Sequence, residues 1–151
     1  MNYLKIAIFT FTLMYWPNQL LAGAHIQMNE ERNYFQFMVP KHHTIRQSGQ
    51  ILNIYIRYAY TRDLPITEYP DYRLLRSIAL NYMEPSAELP ENVFWEIIAQ
   101  QIGKDLMRNF PLAGISVQLE VLDNQNPDAY EPGDHGPIYT IGDIMPLDRH
   151  S

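Results

Sequence analysis

The chain contains no cysteine, and this absence removes several kinds of chemistry at once. Without a thiol there can be no disulfide, no cysteine nucleophile, no iron–sulfur cluster and no cysteine-ligated zinc site. Positive charge is also scarce, because 11 lysine and arginine residues stand against 17 aspartate and glutamate residues among 151. The resulting net charge of -6 argues against nucleic-acid binding and against attraction to an anionic membrane.

The first 24 residues have the three-part layout of a secretory signal peptide. Lys5 supplies a positive charge, Ile6 to Trp16 is an uncharged run, and Ala22 to Ala24 places small residues at a cleavage site. The run is shorter than the about 20 apolar residues that cross a bilayer. We therefore expect cleavage after Ala24, which leaves a single domain of residues 25–151 that is secreted or periplasmic and has no membrane anchor.

Alternation of apolar and polar residues predicts two β-strands near the start of this domain. Tyr34 to Val39 alternates over a short stretch, and Gln50 to Tyr60 alternates over its whole length. Residues 40–49 between them are predicted to be a polar connection. Residues 115–121 and 138–144 show the same alternation and predict two further strands.

Apolar residues at helical spacing predict two helices between these pairs of strands. The first is predicted from Pro70, whose fixed φ angle suits a first helical turn, to Met83. The second is predicted from Glu91 to Asn109 and is ended by Pro111. This order predicts an α+β domain, in which two helices cover one face of an antiparallel sheet. Oligomerisation would account for the other face, which has no helix to cover it.

Three segments, in this order, resemble the dihydroneopterin aldolase family, which has the tunnelling fold. Glu68 to Arg73 is similar to the Ser-Tyr-Ala-Asp-Ile opening of the family's first helix. Asn92 to Ile102 is similar to its Phe-x-Leu-Ile-Glu-x-x-Ala-x-x-Ile helix, and Ile115 to Val121 to its Val-x-Ile-x-Leu strand. The resemblance covers about residues 50–123. It implies a homo-oligomer, a tetramer or an octamer, with pockets formed between neighbouring subunits.

The resemblance also assigns roles to individual residues. Glu96 matches the glutamate that anchors the heterocycle, because a carboxylate can accept two parallel N–H bonds from the amidine-like edge of a pterin or purine. Tyr69 matches a tyrosine that lies against the ring or works near its side chain, which makes it a catalytic candidate as well as a ligand-binding one. Tyr72 is a further ligand-binding candidate. The resemblance implies no cofactor and no metal.

The chain departs from the family at the lysine that handles protons in the retro-aldol step. The corresponding residue is Asp123, and an aspartate cannot act as a cationic acid/base group. Export would also separate the protein from cytoplasmic pterin metabolites. We therefore expect an exported protein that binds a pterin- or purine-like ring through Glu96 without efficient aldolase chemistry.

Two alternatives remain open on the sequence. One is a non-catalytic, secreted interaction module that self-assembles and binds proteins of the envelope or outside the cell. The other is an aldolase-like enzyme whose acid/base group comes from elsewhere, such as His42, His43 or Tyr72. A copper site is a further hypothesis, since cleavage would make His25 the N-terminus and His42, His43 or His135 could supply a second imidazole, but no spacing in the sequence favours it.

Overall fold

A computed structural model describes residues 33–122 and 133–148 of the chain. The helices and strands are, in order, β1 (Tyr34–Thr44), β2 (Gln50–Tyr60), α1 (Tyr72–Asn81), α2 (Trp95–Asn109), β3 (Leu112–Val121) and β4 (Ile138–Gly142). The strands form one antiparallel sheet in the order β1-β2-β3-β4. The predicted α+β order is confirmed. The predicted signal peptide, His25 and Asp123 lie outside the described residues.

Strand β1 is longer than the alternation predicted, because it continues through Pro40. The pairing register shifts after Val39, which marks a β-bulge, and Lys41 adopts a left-handed φ of 46° there. An edge strand tolerates both features, since proline and bulges interrupt pairing on one side only. Residues 40–44, predicted to be a connection, therefore belong to the sheet.

Both helices begin later than predicted, each for a local reason. The Asp71 carboxylate accepts a hydrogen bond of 2.9 Å from the Arg73 backbone N–H, so Asp71 caps α1 and Pro70 precedes the cap. Helix α2 begins at Trp95 because residues 90–93 close a separate turn. Within residues 33–122 and 133–148, no helix is long and apolar enough to cross a membrane.

The hydrophobic core lies between the two helices and one face of the sheet. The fully buried apolar residues of the two central strands alternate along the chain, as the period-two pattern requires: Leu52, Ile54, Ile56 and Tyr58 on β2, and Ile115, Val117 and Leu119 on β3. The helices contribute Leu75, Ile98, Ile102 and Leu106. The strand alternation therefore decides which face of the sheet the helices cover.

The opposite face of the sheet is partly covered by the residues that follow β4. Leu147 is buried, and its backbone N–H donates to the Ser116 Oγ at 3.0 Å. The same Oγ is 2.8 Å from the Thr140 hydroxyl, and the Arg57 guanidinium donates to the Pro146 carbonyl at 3.0 Å. The sheet face for which the sequence predicted no covering helix is therefore covered in part by residues of the same chain.

A buried arginine fastens the β1–β2 connection to the loop between the helices. Arg46 is fully buried. Its guanidinium donates hydrogen bonds of 2.8 to 3.2 Å to four backbone carbonyls of that loop, those of Tyr82, Glu84, Leu89 and Pro90. Next to it, the Thr44 hydroxyl donates to the Met83 carbonyl at 2.5 Å. These bonds hold the segment that leads into α2.

Candidate functional site

A cleft of about 550 Å³ opens beside the first turn of α2. Three parts of the chain line it: Gln47 from the turn after β1, Phe94, Trp95 and Glu96 from the start of α2, and His135, Gly136 and Pro137 from the segment before β4 together with Ile138, the first residue of β4. This volume falls in the range of about 300 to 1,000 Å³ that is usual for small-molecule sites. The cleft contains Glu96, the residue that the sequence resemblance assigned to ring binding.

Glu96 is an exposed carboxylate in the first turn of α2. The helix dipole favours a negative charge at this position. Among residues 33–122 and 133–148, Glu96 makes no hydrogen bond or ion pair, so its two oxygens are available to a ligand. Two apolar side chains of the same cleft are also exposed, Phe94 at 71% and Ile138 at 37%. The cleft therefore combines an acceptor with apolar surface.

The segment before β4 is held against β3 by backbone hydrogen bonds. His135 and Val121 exchange two of them, at 2.6 and 3.0 Å, and the Leu119 N–H donates to the Pro137 carbonyl at 3.1 Å. Gly136 adopts a φ of +144°, and a Cβ at this position would overlap the Leu119 carbonyl oxygen. Only glycine allows the segment to approach β3 this closely.

The His135 imidazole has a defined proton position. Its Nδ1 lies 2.9 Å from the Gly133 carbonyl oxygen. Because a carbonyl oxygen can only accept, Nδ1 carries the hydrogen of this contact. The sequence around His135 indicated no role beyond the copper hypothesis, because only the bridge to Val121 brings this residue to the cleft.

The two candidate tyrosines lie in a group of contacting aromatic rings that we call the aromatic cluster: Phe35, Phe37, Tyr58, Tyr60, Tyr69 and Tyr72. Tyr69 stacks on Tyr60 with ring centroids 3.9 Å apart. Tyr72 contacts Phe35 and Phe37, with centroid distances of 5.4 and 5.6 Å. Tyr69 and Tyr72 remain 36% and 40% exposed, so both rings keep a surface for a further contact.

Within one chain the aromatic cluster does not reach the cleft. Tyr60, in the cluster, pairs with Leu112 at one end of β3. Ile138, in the cleft, pairs with Gln118 further along the same strand. Leu112 and Gln118 are six positions apart in β3, which corresponds to about 20 Å of strand. A site that combines the cleft with the aromatic cluster therefore needs two copies of the chain.

His42 and His43, the candidates for a relocated acid/base group, lie in β1 and do not line the cleft. As neighbours in a strand they point to opposite faces of the sheet. In the described part of the chain, no three histidine, aspartate or glutamate side chains are grouped to hold a metal ion. The structure brings neither histidine to Glu96.

His42 lies on the helix side of the sheet, and its Nε2 is buried without a hydrogen-bond partner among the described residues. Burial lowers the pKa of His42 below its usual value of 6.5; the nearby Glu84 raises this pKa, while Arg76 and His43 lower it further. The folded chain therefore favours the neutral imidazole.

This preference predicts a pH dependence of stability. When a base has a lower pKa in the folded state, the unfolded state binds more protons, so stability is lost as the pH falls below 6.5. We expect the urea midpoint of the wild-type protein to drop between pH 7.5 and 5.5, and His42→Gln to flatten this drop. His43→Gln, on the other face, is the matched control. Parallel pH curves for wild type and His42→Gln would contradict the prediction.

The sheet order, the strand–strand–helix–helix–strand–strand sequence and the helices on one face define an α+β domain with the tunnelling fold. The structure is similar to that of dihydroneopterin aldolase from Burkholderia thailendensis bound to guanine, with a TM-score of 0.52, 13% identity, and coverage of 74% of this chain and 93% of that one. It is also similar to a structure assigned to dihydroneopterin aldolase from Vibrio cholerae O1 biovar El Tor, with a TM-score of 0.50 and 13% identity, over 72% of this chain and 98% of that one.

No family model and no curated protein matches the chain. At 13% identity the structural similarity shows the fold. It confirms the resemblance to the dihydroneopterin aldolase family that three short segments indicated in the sequence.

Proposed function

We propose that this protein binds a pterin- or purine-like ring in the cleft beside α2, with Glu96 as the anchoring group. The observation that carries the proposal is an exposed carboxylate that makes no hydrogen bond or ion pair among the described residues. It lies in a cleft with the exposed side chains of Phe94 and Ile138. A flat heterocycle needs apolar surface for its faces and, for an edge with two N–H groups, a bidentate acceptor. The similar Burkholderia structure is bound to guanine, which has such an edge.

Self-association is the second part of the proposal. β1 and β4 are the two edges of the sheet, and their outer backbone groups can pair with another chain. β1 also exposes Tyr34, Phe35 and Met38. Pairing of β1 with β4 of a neighbouring copy would continue the antiparallel sheet, and we propose that a tetramer or octamer built in this way supplies Tyr69 and Tyr72 to the ring. A monomer in native mass spectrometry would contradict this part.

Ring binding does not require aldolase turnover, and the proposal assigns none. The family's lysine position falls on Asp123, which lies outside the described residues. Residues 1–24 carry the further proposal that the protein is exported, which would place the ring-binding site outside the cytoplasm. The ligand would then be a ring compound of the envelope or the medium.

Replacing Glu96 by glutamine tests the ring-binding site. The side chain keeps its shape, but an amide offers one acceptor oxygen in place of two and loses the charge. A hydrogen bond to a charged group contributes about 1.5 to 3 kcal/mol, so we expect Glu96→Gln to weaken guanine and neopterin binding by about 10- to 100-fold in calorimetric titrations.

Glu88→Gln is the matched control for this test. Glu88 is also an exposed carboxylate, but it lies in the loop between the helices and does not line the cleft. We expect it to bind as the wild type does. Equal affinities of the wild type and Glu96→Gln, or binding of neither compound to the wild type, would refute the proposed function.

A further inference from the structure

Gln47 brings a second acceptor side chain to the cleft, from a different part of the chain. It lies in the turn after β1, whereas Glu96 projects from the first turn of α2. Gln47 is half-buried, and its side-chain oxygen makes no hydrogen bond within residues 33–122 and 133–148. A ligand in the cleft therefore meets a neutral acceptor in addition to the Glu96 carboxylate.

The side-chain amide of Gln47 has a defined orientation. Its Nε2 donates to the Val93 carbonyl at 3.2 Å. Because a carbonyl oxygen can only accept a hydrogen bond, the nitrogen faces Val93 and the amide oxygen Oε1 lies on the other side of the group. The protein thus occupies the nitrogen and leaves the oxygen to a ligand.

The backbone at Gln47 is held in a conformation that residues with a Cβ rarely adopt. Gln47 has a φ of 50° and a ψ of 47°, and Ser48 has a φ of 67°. The Gln47 N–H donates to the Glu91 carbonyl at 3.3 Å, and the Ser48 N–H donates to the Glu91 carboxylate at 3.2 Å. Unfavourable backbone conformations that the surrounding structure maintains cluster at binding sites. These bonds fix Gln47 beside the segment that leads into α2.

We propose that Oε1 of Gln47 accepts a hydrogen bond from an N–H on a second edge of the ring whose first edge is bound by Glu96. This inference rests on the proposed ring site and narrows its ligands to rings that carry N–H groups on two edges. Guanine is such a ring, because its imidazole part carries one N–H in addition to the N–H groups of its pyrimidine edge. A base that is substituted at this nitrogen, as in a nucleoside, lacks the second donor. The site therefore prefers free oxopurine bases.

The two contacts can be separated with 9-methylguanine, which keeps the edge for Glu96 but has no N–H on its imidazole ring. One hydrogen bond between neutral groups corresponds to a change of up to about 10-fold in affinity. We expect the wild-type protein to bind guanine about 10-fold more tightly than 9-methylguanine. Gln47→Met has a side chain of similar length without the oxygen acceptor, and it should bind guanine as weakly as 9-methylguanine.

The ratio of the two affinities distinguishes this hydrogen bond from other roles of Gln47. If the methyl group of 9-methylguanine were simply too large for the cleft, Gln47→Met would keep the preference for guanine, since its side chain is of similar size. If Gln47 only supported the start of α2, its replacement would weaken both ligands equally and would again keep the preference. A contact with the imidazole N–H predicts that the preference is lost.

The experiment is a calorimetric titration of guanine and of 9-methylguanine into the wild type, Gln47→Met, Gln47→Glu and Gln100→Met. Gln47→Glu retains an oxygen acceptor and should keep the preference for guanine. Gln100 is a half-buried glutamine of α2 that does not line the cleft, so Gln100→Met should bind both ligands as the wild type does.

The outcomes separate this inference from the function on which it rests. Equal preference for guanine in the wild type and Gln47→Met, or no preference in the wild type, would overturn the role of Gln47; the ring site would still stand if Glu96→Gln weakens both ligands. If the wild type binds neither ligand, the proposed function fails first. Should Gln47→Met fail to fold, as judged by circular dichroism, Gln47→Glu decides, and loss of its preference for guanine would overturn the inference.

Discussion

Replacing Arg46 by alanine is expected to lower the free energy of unfolding by at least about 3 kcal/mol. The substitution removes a hydrogen bond from each of four backbone carbonyls, and a hydrogen bond from a charged donor contributes about 1.5 to 3 kcal/mol. Arg46 is fully buried, and its guanidinium bonds to the backbone of residues 82–90. The four bonds act as one unit, so their contributions do not add. Urea denaturation followed by circular dichroism measures the change.

Two further variants make this result specific. Arg46→Lys should also destabilise, because a single ammonium cannot reproduce the planar fork that reaches four carbonyls. Arg108→Ala is the control, since its side chain is 72% exposed and pairs with Asp105 at 3.3 Å; surface pairs of this kind contribute about 0 to 1 kcal/mol. An Arg46→Ala protein within about 1 kcal/mol of the wild type would show that the clamp adds little to stability.

Replacing Gly136 by alanine is expected to destabilise the domain by about 2 to 4 kcal/mol and to abolish guanine binding. Part of the cost is backbone strain, which is of order 1 to 3 kcal/mol for a non-glycine residue in a disfavoured region. The rest arises because the new Cβ would overlap the Leu119 carbonyl oxygen. To relieve the overlap, the segment that carries His135 and Pro137 has to move away from β3.

Gly133→Ala is the matched control for Gly136→Ala. Gly133 also has a positive φ, of +84°, but nothing lies within 4 Å of a Cβ added there. Gly133→Ala should therefore lose only the stability that backbone strain costs, about 1 to 2 kcal/mol, and the shape of the cleft should not change. Hydrogen exchange of the Leu119 and His135 amides reports the contact with β3 directly. Equal stability and equal exchange in the two variants would show that the close approach to β3 is not important.

Arg46 and Gly136 act on different walls of the cleft. Arg46 fixes the loop that leads into α2 and thus the position from which Glu96 projects. Gly136 lets the facing segment lie on β3, which brings His135 to the same cleft. Neither residue belongs to the three segments that carry the family resemblance, so the chain uses positions outside those segments to build the cleft.

Much of the fold could be predicted because the alternation of apolar residues is strong. The pattern from Gln50 to Tyr60 identified a strand with one buried face, and the structure buries that face under the helices. Glu96 could be singled out because it lies in a helix segment with a recognisable motif. The predicted start of α2 was wrong by four residues, since a turn that precedes a helix and the first turn of the helix have similar amino-acid compositions.

Other features could not be predicted, because they depend on contacts between distant parts of the chain. β1 continues through Pro40 only because it is an edge strand, and edge position is a property of the whole sheet. Leu147 looks like any residue of a polar tail until its N–H meets Ser116 on the open face. Arg46 looks like a surface residue in a polar connection, yet it is buried under backbone carbonyls that follow it by 36 to 44 positions.

By itself, the sequence determined the order of the helices and strands, the face of the sheet that is buried, and the candidate carboxylate at the start of α2, because each of these is a local pattern of neighbouring residues. Only the tertiary structure decided that His135 shares a cleft with Glu96, and that Tyr69 and Tyr72 lie at the other end of the sheet. The physical reason is the register of the antiparallel strands. It brings together residues from separate segments and keeps others about 20 Å apart, and no local pattern encodes it.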